Sequence, residues 1–242
     1  NPFAPDIFDY RTSSTFNFFS DLNPERRTLI RALHAHLEGG QGLDKLFALK
    51  DDALIEEARL ADLQVFDSPL MAAIDRYSPG VMYEAMRFAD LPTGAQRRLL
   101  EHSIIFSGLF GLLRPDDLIP DYRLRMDASL DGLGKVARFW QPHVSPMLNH
   151  LVADQFVWNL LPAAHAEAWQ PDGSFRQMVE VKFFREDEDG QRKPVSHGVK
   201  PLRGALVHHI VTAMADQVEA LAAWDAPDGY ELDLDASSMD AE

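Results

Sequence analysis

Apolar side chains recur every three or four positions in several segments of the chain, which is the spacing of an amphipathic helix. The first segment begins at Asn23-Pro24, a helix start with proline at the first helical position, and stops at Gly39-Gly40. Its apolar positions are Leu29, Ile30, Leu33 and Leu37. The same pattern predicts further helices at residues 52–63, 68–77, 81–88, 92–100 and 204–224.

Two regions have the pattern of strands. Residues 103–107 are a short β-branched and aromatic run, typical of a buried strand. Residues 178–185 alternate apolar and charged side chains, and a turn near Asp189-Gly190 followed by residues 193–198 predicts a hairpin. Because strands and helices do not alternate strictly, we expect an α+β fold. Residues 1–242 would form one compact domain in which helices surround a mixed β-sheet.

The composition is that of a globular protein, with 46% hydrophobic and 25% charged residues. The absence of cysteine excludes disulfides, thiolate metal ligands and a cysteine nucleophile. No apolar run approaches the roughly 20 residues of a membrane-spanning helix, and the chain does not begin with a basic and then apolar signal pattern. We therefore expect a cytoplasmic protein that does not interact with membranes.

The formal net charge of −15 argues against indiscriminate binding to a polyanion. The charge is unevenly distributed, because nine of the 38 acidic residues and none of the 23 basic ones lie in residues 216–242. The first 215 residues therefore carry 29 acidic and 23 basic residues. An acidic C-terminal segment is usually a solvated end, and it could also compete with DNA for a basic cleft.

The most distinctive block of sequence lies between Ser107 and Met126. It reads SGLFGLLRP at 107–115, DLI at 117–119 and YRLRM at 122–126, and it resembles the signature of the YaaA peroxide-stress protein family. Shorter blocks agree in order: Tyr77 with 79–81, Phe139-Trp140, Lys200 with Arg203-Gly204, and then 228–230 with 237–238. The resemblance is clear from about Tyr77 to Ser238.

The sequence departs from the family pattern in three places. The N-terminal proline-alanine-lysine-threonine motif and the final strand are absent, and the chain starts at Asn1, so we expect it to be trimmed at both ends. A segment that usually carries serine, glutamate and tyrosine reads HLVADQF at 150–156. Any role of those three groups is therefore not carried over to this chain.

The resemblance implies a helical fold with a mixed sheet and a cleft, DNA binding, protection against peroxide stress and limitation of free iron. It also implies a helix-hairpin-helix element, for which residues 130–137 are the candidate. Gly132 and Gly134 would let the backbone approach a phosphate, and amides at the start of the next helix would point at it. Lys135 and Arg138 would add positive charge, although a plain glycine turn explains the pattern equally well.

The arginines of the signature block also have two interpretations. Arg114, Arg123 and Arg125 could pair with the neighbouring aspartates and fix a loop, or they could line a cleft as an anion site. Basic residues from the hairpin and the start of the last helix would add to such a site if the fold brings them together; these are Lys182, Arg192, Lys193, Lys200 and Arg203. The partner would be duplex or branched DNA.

An enzyme acting on a small anionic or nucleotide-like substrate is the alternative hypothesis. Its acid-base candidates are Tyr83, Asp117, Tyr122 and His197. The nine histidines do not have metal-ligand spacing, since His34 and His36 lie two positions apart and His208 and His209 are adjacent. No metalloprotease, Walker or nucleophile-elbow motif is present, so the sequence predicts neither a metal site nor a cofactor.

Overall fold

The structure is a computed structural model that describes residues 18–186, 189, 191–195 and 198–231. The α-helices in these ranges are α1 Asn23–Gly39, α2 Leu43–Phe47, α3 Asp52–Leu63, α4 Ala73–Arg76, α5 Val81–Met86, α6 Thr93–His102, α7 Val136–Val152, α8 Ala163–Ala166 and α9 Lys200–Ala213. The strands are β1 Met71–Ala72, β2 Ile105–Ser107, β3 Gly111–Leu113, β4 Leu118–Ile119, β5 Ser129–Leu130, β6 Gly134–Lys135, β7 Phe156–Asn159, β8 Gln177–Glu180, β9 Phe184–Glu186 and β10 Arg192–Pro194. In the part of the chain that the structure describes, no helix is long and apolar enough to cross a membrane.

The described strands form two-stranded sheets rather than one continuous sheet. The antiparallel pairs are β1–β4, β2–β3, β5–β6 and β9–β10, and the parallel pair is β7–β8. The mixed α+β class is confirmed, and β9–β10 confirms the predicted hairpin, with Arg192 opposite Glu186. The strands are two to four residues long, so the alternation in the sequence could not show how many of them would pair.

Contacts within the chain define two compact units. The first contains the described residues up to Arg76, together with Ser103–Gln155 and Leu161–Phe175. Its core includes the apolar face of α1, where Leu29, Ile30, Leu33 and Leu37 are buried as the spacing predicted. Gly40 ends α1 in the left-handed conformation, which a residue without Cβ adopts at no steric cost.

The second unit contains Tyr77–His102, Phe156–Leu160 and the described residues from Arg176 onward. Helices α5 and α9 pack closely in it because Gly204 has no side chain. A Cβ at this position would overlap the carbonyl oxygen of Met82 and lie 2.9 Å from the amide nitrogen of Met86. A second apolar cluster joins Phe183, before the hairpin, to Val199 and Leu202 at the start of α9.

Two helix predictions were partly wrong. The segment predicted as a helix over 68–77 begins with strand β1, which pairs with β4, and is helical only at Ala73–Arg76. The last helix starts at Lys200 rather than near 204 and ends at Ala213, where Met214 adopts a left-handed conformation. The apolar pattern continued across Met214 because a separate 3₁₀ helix at Val218–Ala223 also buries a leucine, Leu221.

Candidate functional site

The signature block folds into a tightly packed turn in the first unit. Gly108 lies against the backbone of residues 124–126, so a Cβ there would overlap the carbonyl oxygen of Leu124. Gly111, with a φ of 73°, lies against the ring of Trp140, and Trp140 Nε1 donates to the Gly108 carbonyl at 2.8 Å. Gly108 therefore allows close packing against residues 124–126, and Gly111 allows close packing against Trp140.

A buried arginine that the sequence reasoning missed fixes the same turn. Arg26 of α1 is 1% exposed, and its Nε and Nη2 donate to the carbonyls of Phe110 and Leu112, each at 2.9 Å. Nη1 donates to Asn23 Oδ1 at 2.9 Å. Its helical neighbours gave no signal of this role, because an arginine in the first turn of a helix is normally solvated.

The hydroxyl and carboxyl groups of the block make internal hydrogen bonds. The hydroxyl oxygens of Ser107 and Tyr122 lie 2.6 Å apart, and the amide of Phe110 donates to Ser107 Oγ at 2.9 Å. Asp117 is 1% exposed and accepts from the amides of Arg114, at 2.8 Å, and Phe18, at 3.1 Å. These contacts fit the loop-fixing interpretation of this block.

The three arginines of the block have different surroundings. The guanidinium of Arg114 lies over the ring of Phe18, with its Cζ 4.5 Å from the ring centroid. Arg123 is 55% exposed and lies 3.9 Å from Glu57, whereas Arg125 pairs with Asp127. The side chain of Arg123 is therefore more exposed than that of Arg125, which is 40% exposed.

The backbone that carries Arg123 is held by a buried aspartate on α3. Asp62 is fully buried, and its Oδ1 accepts from the Arg123 amide at 2.6 Å. Its Oδ2 is buried without a hydrogen-bond partner among the described residues. Burial raises the pKa of Asp62 to about 7, against hydrogen bonds from the amides of Arg123 and Leu124 that lower the pKa.

The glycine turn at residues 130–137 is a β-hairpin followed by a helix. Strand β5 precedes the turn and β6 follows it, so the predicted helix-hairpin-helix is not supported at this position. Gly132 and Gly134 have φ values of 74° and 81°, as a tight turn requires. The first amides of α7, those of Val136 and Ala137, donate to the carbonyls of Ala128 and Met126. The expectation that these amides point at a phosphate is therefore not supported.

Lys135 and Arg138 lie together at the start of α7 and share one carboxylate. Lys135 Nζ contacts Glu167 Oε2, and Arg138 Nε lies 3.1 Å from Glu167 Oε1. Their hydrogen bonds, led by that from Lys135, lower the pKa of Glu167. No sequence pattern indicated this partner, since Glu167 lies about 30 residues further along the chain.

The basic residues that the sequence singled out in the second unit lie in or next to the hairpin and at the start of α9. Lys182, Arg192, Lys193 and Lys200 are exposed. Arg203 lies over the ring of Phe183, with its Cζ 5.4 Å from the centroid, and burial lowers its pKa. Because Phe183 also packs against Val199 and Leu202, the fold brings the hairpin and the start of α9 together.

The acid-base candidates lie in different surroundings. Asp117 and Tyr122 belong to the first unit and Tyr83 to the second, where burial raises its pKa and makes it a poor acid or base near neutral pH. His197 lies outside the described residues. In the ranges that the structure describes, no three histidine, aspartate or glutamate side chains are grouped to hold a metal ion.

Comparison with known proteins identifies the family. A family model described as peroxide stress protein YaaA matches residues 8–236. The chain belongs to the YaaA peroxide stress protein family. A UPF0246 protein of Streptomyces coelicolor is 34% identical to this YaaA-family chain, in a match that covers 65% of the chain. A UPF0246 protein of Rickettsia conorii is 31% identical, in a match that covers 70% of the chain. These matches cover 60% and 67% of the two relatives, so this chain spans less than two thirds of the Streptomyces protein.

A third relative of this YaaA-family chain is an uncharacterized protein of Campylobacter jejuni. It is 27% identical over 78% of the chain, and the match covers 72% of that protein. The family match confirms the resemblance that rested on residues 107–126. In this chain, the two glycines of that block, at 108 and 111, are both closely packed.

Proposed function

We propose that the chain acts in the peroxide-stress response by binding the phosphate backbone of DNA without strong sequence readout. The observation that carries the proposal is the cluster of basic residues on the hairpin and the start of α9. The cluster consists of Lys182, Arg185, Arg192, Lys193, Lys200 and Arg203. Lysine and arginine contacts to phosphate oxygens supply most of the sequence-independent affinity of proteins for DNA.

Packing and charge both support this cluster as a phosphate-binding surface. The hairpin and helix share the apolar cluster around Phe183, so their cations are carried by one packed piece of the chain. From Gln191 to Ala215 the sequence contains four lysines or arginines and no acidic residue. Phe184 is 45% exposed beside these cations and offers a ring to an unpaired base. The stretch from Gln191 to Ala215 is therefore positively charged, whereas the first half of the hairpin also carries Glu186 and Asp189, and Lys182 lies 3.8 Å from Glu180.

The first unit contributes a second set of candidate phosphate contacts. Arg123 is exposed, and the described ion pairs of Arg125, Lys135 and Arg138 are with carboxylates that are themselves partly solvated. Such surface ion pairs are weak, typically worth below about 1 kcal/mol, so phosphate can replace the carboxylates. Gly132 and Gly134 present no side chain in the turn beside Lys135, and the space around each is open.

The test is the salt dependence of DNA binding. We expect the full chain to bind a fluorescein-labelled duplex with an affinity that falls steeply as salt rises. Replacing two hairpin cations, Arg192→Gln with Lys193→Gln, should reduce the slope of log K against log salt by about 2, since each phosphate contact contributes roughly 0.9. Fluorescence anisotropy across a salt series measures both quantities.

A matched control separates local contacts from net charge. Arg87→Gln with Arg97→Gln removes the same charge from the same unit, at arginines that pair with Asp90 and Glu101 on the surface. This variant should keep the wild-type slope. Absence of DNA binding at low salt, or binding without salt dependence, would refute the proposal. Retention of a small anionic molecule that Arg123→Ala abolishes would favour the enzyme hypothesis instead.

Protection against peroxide damage and limitation of free iron complete the proposed role, and both rest on the family resemblance. We expect cells without the protein to accumulate free iron under peroxide, measured by electron paramagnetic resonance of intact cells. The wild-type chain should restore the lower level, whereas the Arg192→Gln, Lys193→Gln variant should not. Equal restoration by both would separate iron limitation from phosphate binding.

A further inference from the structure

The carboxylate of Glu167 occupies the position that a phosphate would take between Lys135 and Arg138. One carboxylate oxygen contacts Lys135 Nζ and the other lies 3.1 Å from Arg138 Nε. Lysine and arginine hold phosphate oxygens through the same charged donors. Arg138 is 78% exposed and Lys135 35% exposed, so an external anion can reach both cations.

Hydrogen bonds that do not involve this carboxylate also hold the segment in place. The Gln141 amide donates to the Glu167 carbonyl at 3.0 Å, and the amide of Gln170 donates to Ser145 at 2.9 Å. Trp169 Nε1 donates to Asn149 at 2.7 Å. These bonds tie residues 167–170 to α7 without using the Glu167 side chain. Its two ion pairs are therefore available for a purpose other than anchoring.

We propose that Glu167 is an internal competitor that occupies the Lys135–Arg138 pair and is displaced when nucleic-acid phosphate binds. This inference rests on the proposed function, because it assigns regulation to one of its phosphate contacts. Glu167 stays ionised while both cations contact it, so the competition persists at neutral pH. The protein then binds phosphate less tightly than its exposed cations alone would allow.

The experiment compares DNA binding by the full chain and by Glu167→Gln, which keeps the side-chain shape and removes the charge. We expect Glu167→Gln to bind the labelled duplex about two- to fivefold more tightly, the range that follows from the strength of exposed ion pairs. The salt slope should stay close to that of wild type, because Lys135 and Arg138 contact phosphates in both complexes. Glu101→Gln, which breaks the Arg97 ion pair in the other unit, is the matched control for net charge.

A third variant assigns the gain to the two cations. Adding Lys135→Gln and Arg138→Gln to Glu167→Gln should return the affinity to the wild-type level or below. If wild type binds DNA and Glu167→Gln behaves like Glu101→Gln, the inference is wrong and the proposed function stands. If wild type does not bind at low salt, both fail, because phosphate then does not displace the carboxylate.

Discussion

Replacing Asp62 with asparagine should remove a pH dependence of stability that this single carboxyl imposes. Asp62 is fully buried, and one of its oxygens has no hydrogen-bond partner among the described residues. Its charged form is therefore disfavoured in the folded chain, and its pKa rises from 3.8 to about 7. Asparagine keeps an oxygen that can accept from the Arg123 amide and cannot ionise.

The sign and size follow from proton linkage. A carboxyl group whose pKa is raised by folding contributes its full stabilisation at pH values below its unfolded-state pKa. That contribution is lost as the pH rises through its folded-state pKa. The difference of roughly three pKa units, at 1.36 kcal/mol each, corresponds to about 4 kcal/mol lost between about pH 4 and pH 7. The nearby charges of Asp121 and Arg123 act in opposite directions on this pKa.

Urea unfolding monitored by tryptophan fluorescence measures the effect, since Trp140 and Trp169 are both buried. The asparagine variant pays a constant cost for its unpaired amide group, so the informative quantity is the change with pH. Relative to wild type, Asp62→Asn should gain about 3 to 4 kcal/mol of unfolding free energy between about pH 4.5 and pH 8. A difference between the two proteins that stays constant over this range would refute the argument.

Two further predictions concern packing and buried hydrogen bonds. Gly204→Ala should lower the unfolding free energy by about 1–3 kcal/mol because its Cβ would overlap the backbone of α5. Gly94→Ala, where a Cβ would have nothing within 4 Å, should stabilise α6 slightly or leave its stability unchanged. Urea unfolding of both variants checks this, and equal effects would contradict the prediction. Arg26→Met should cost about 2–5 kcal/mol, since the carbonyls of Phe110 and Leu112 lose their donors; a midpoint within error of wild type would show that water replaces the arginine.

The sequence predicted the helices whose apolar spacing is backed by explicit ends. Helix α1 has Pro24 at its start and Gly40 at its end, and α3 has the limits that the sequence predicted, with Asp51 accepting from the Leu54 amide at the cap. Residues 68–77 were misassigned because a two-residue strand is too short to produce a period of two. The pattern could not reveal that β4 would pair with it from more than 40 residues away.

The site was predicted less completely than the helices. The residue types singled out Arg114, Arg123 and Arg125 as candidate site residues, and the family match covers the block in which they lie. The partners that are distant in sequence could not be predicted. Glu57 and Asp62 contact Arg123, and Glu167 pairs with Lys135 and Arg138, only because tertiary packing makes them neighbours. Glycine spacing at 132 and 134 likewise predicted a tight turn, and only the preceding strand β5 distinguished a β-hairpin from a helix-hairpin-helix.

The two compact units are each assembled from separate stretches of chain. The first unit contains residues on both sides of 77–102. The second contains Phe156–Leu160, a short stretch that is preceded and followed in the sequence by residues of the first unit. No single cut can therefore release either unit intact, and terminal truncations would leave one of them incomplete. Mapping of binding regions in this protein consequently requires point substitutions in the full chain, because fragments would lose binding through misfolding alone.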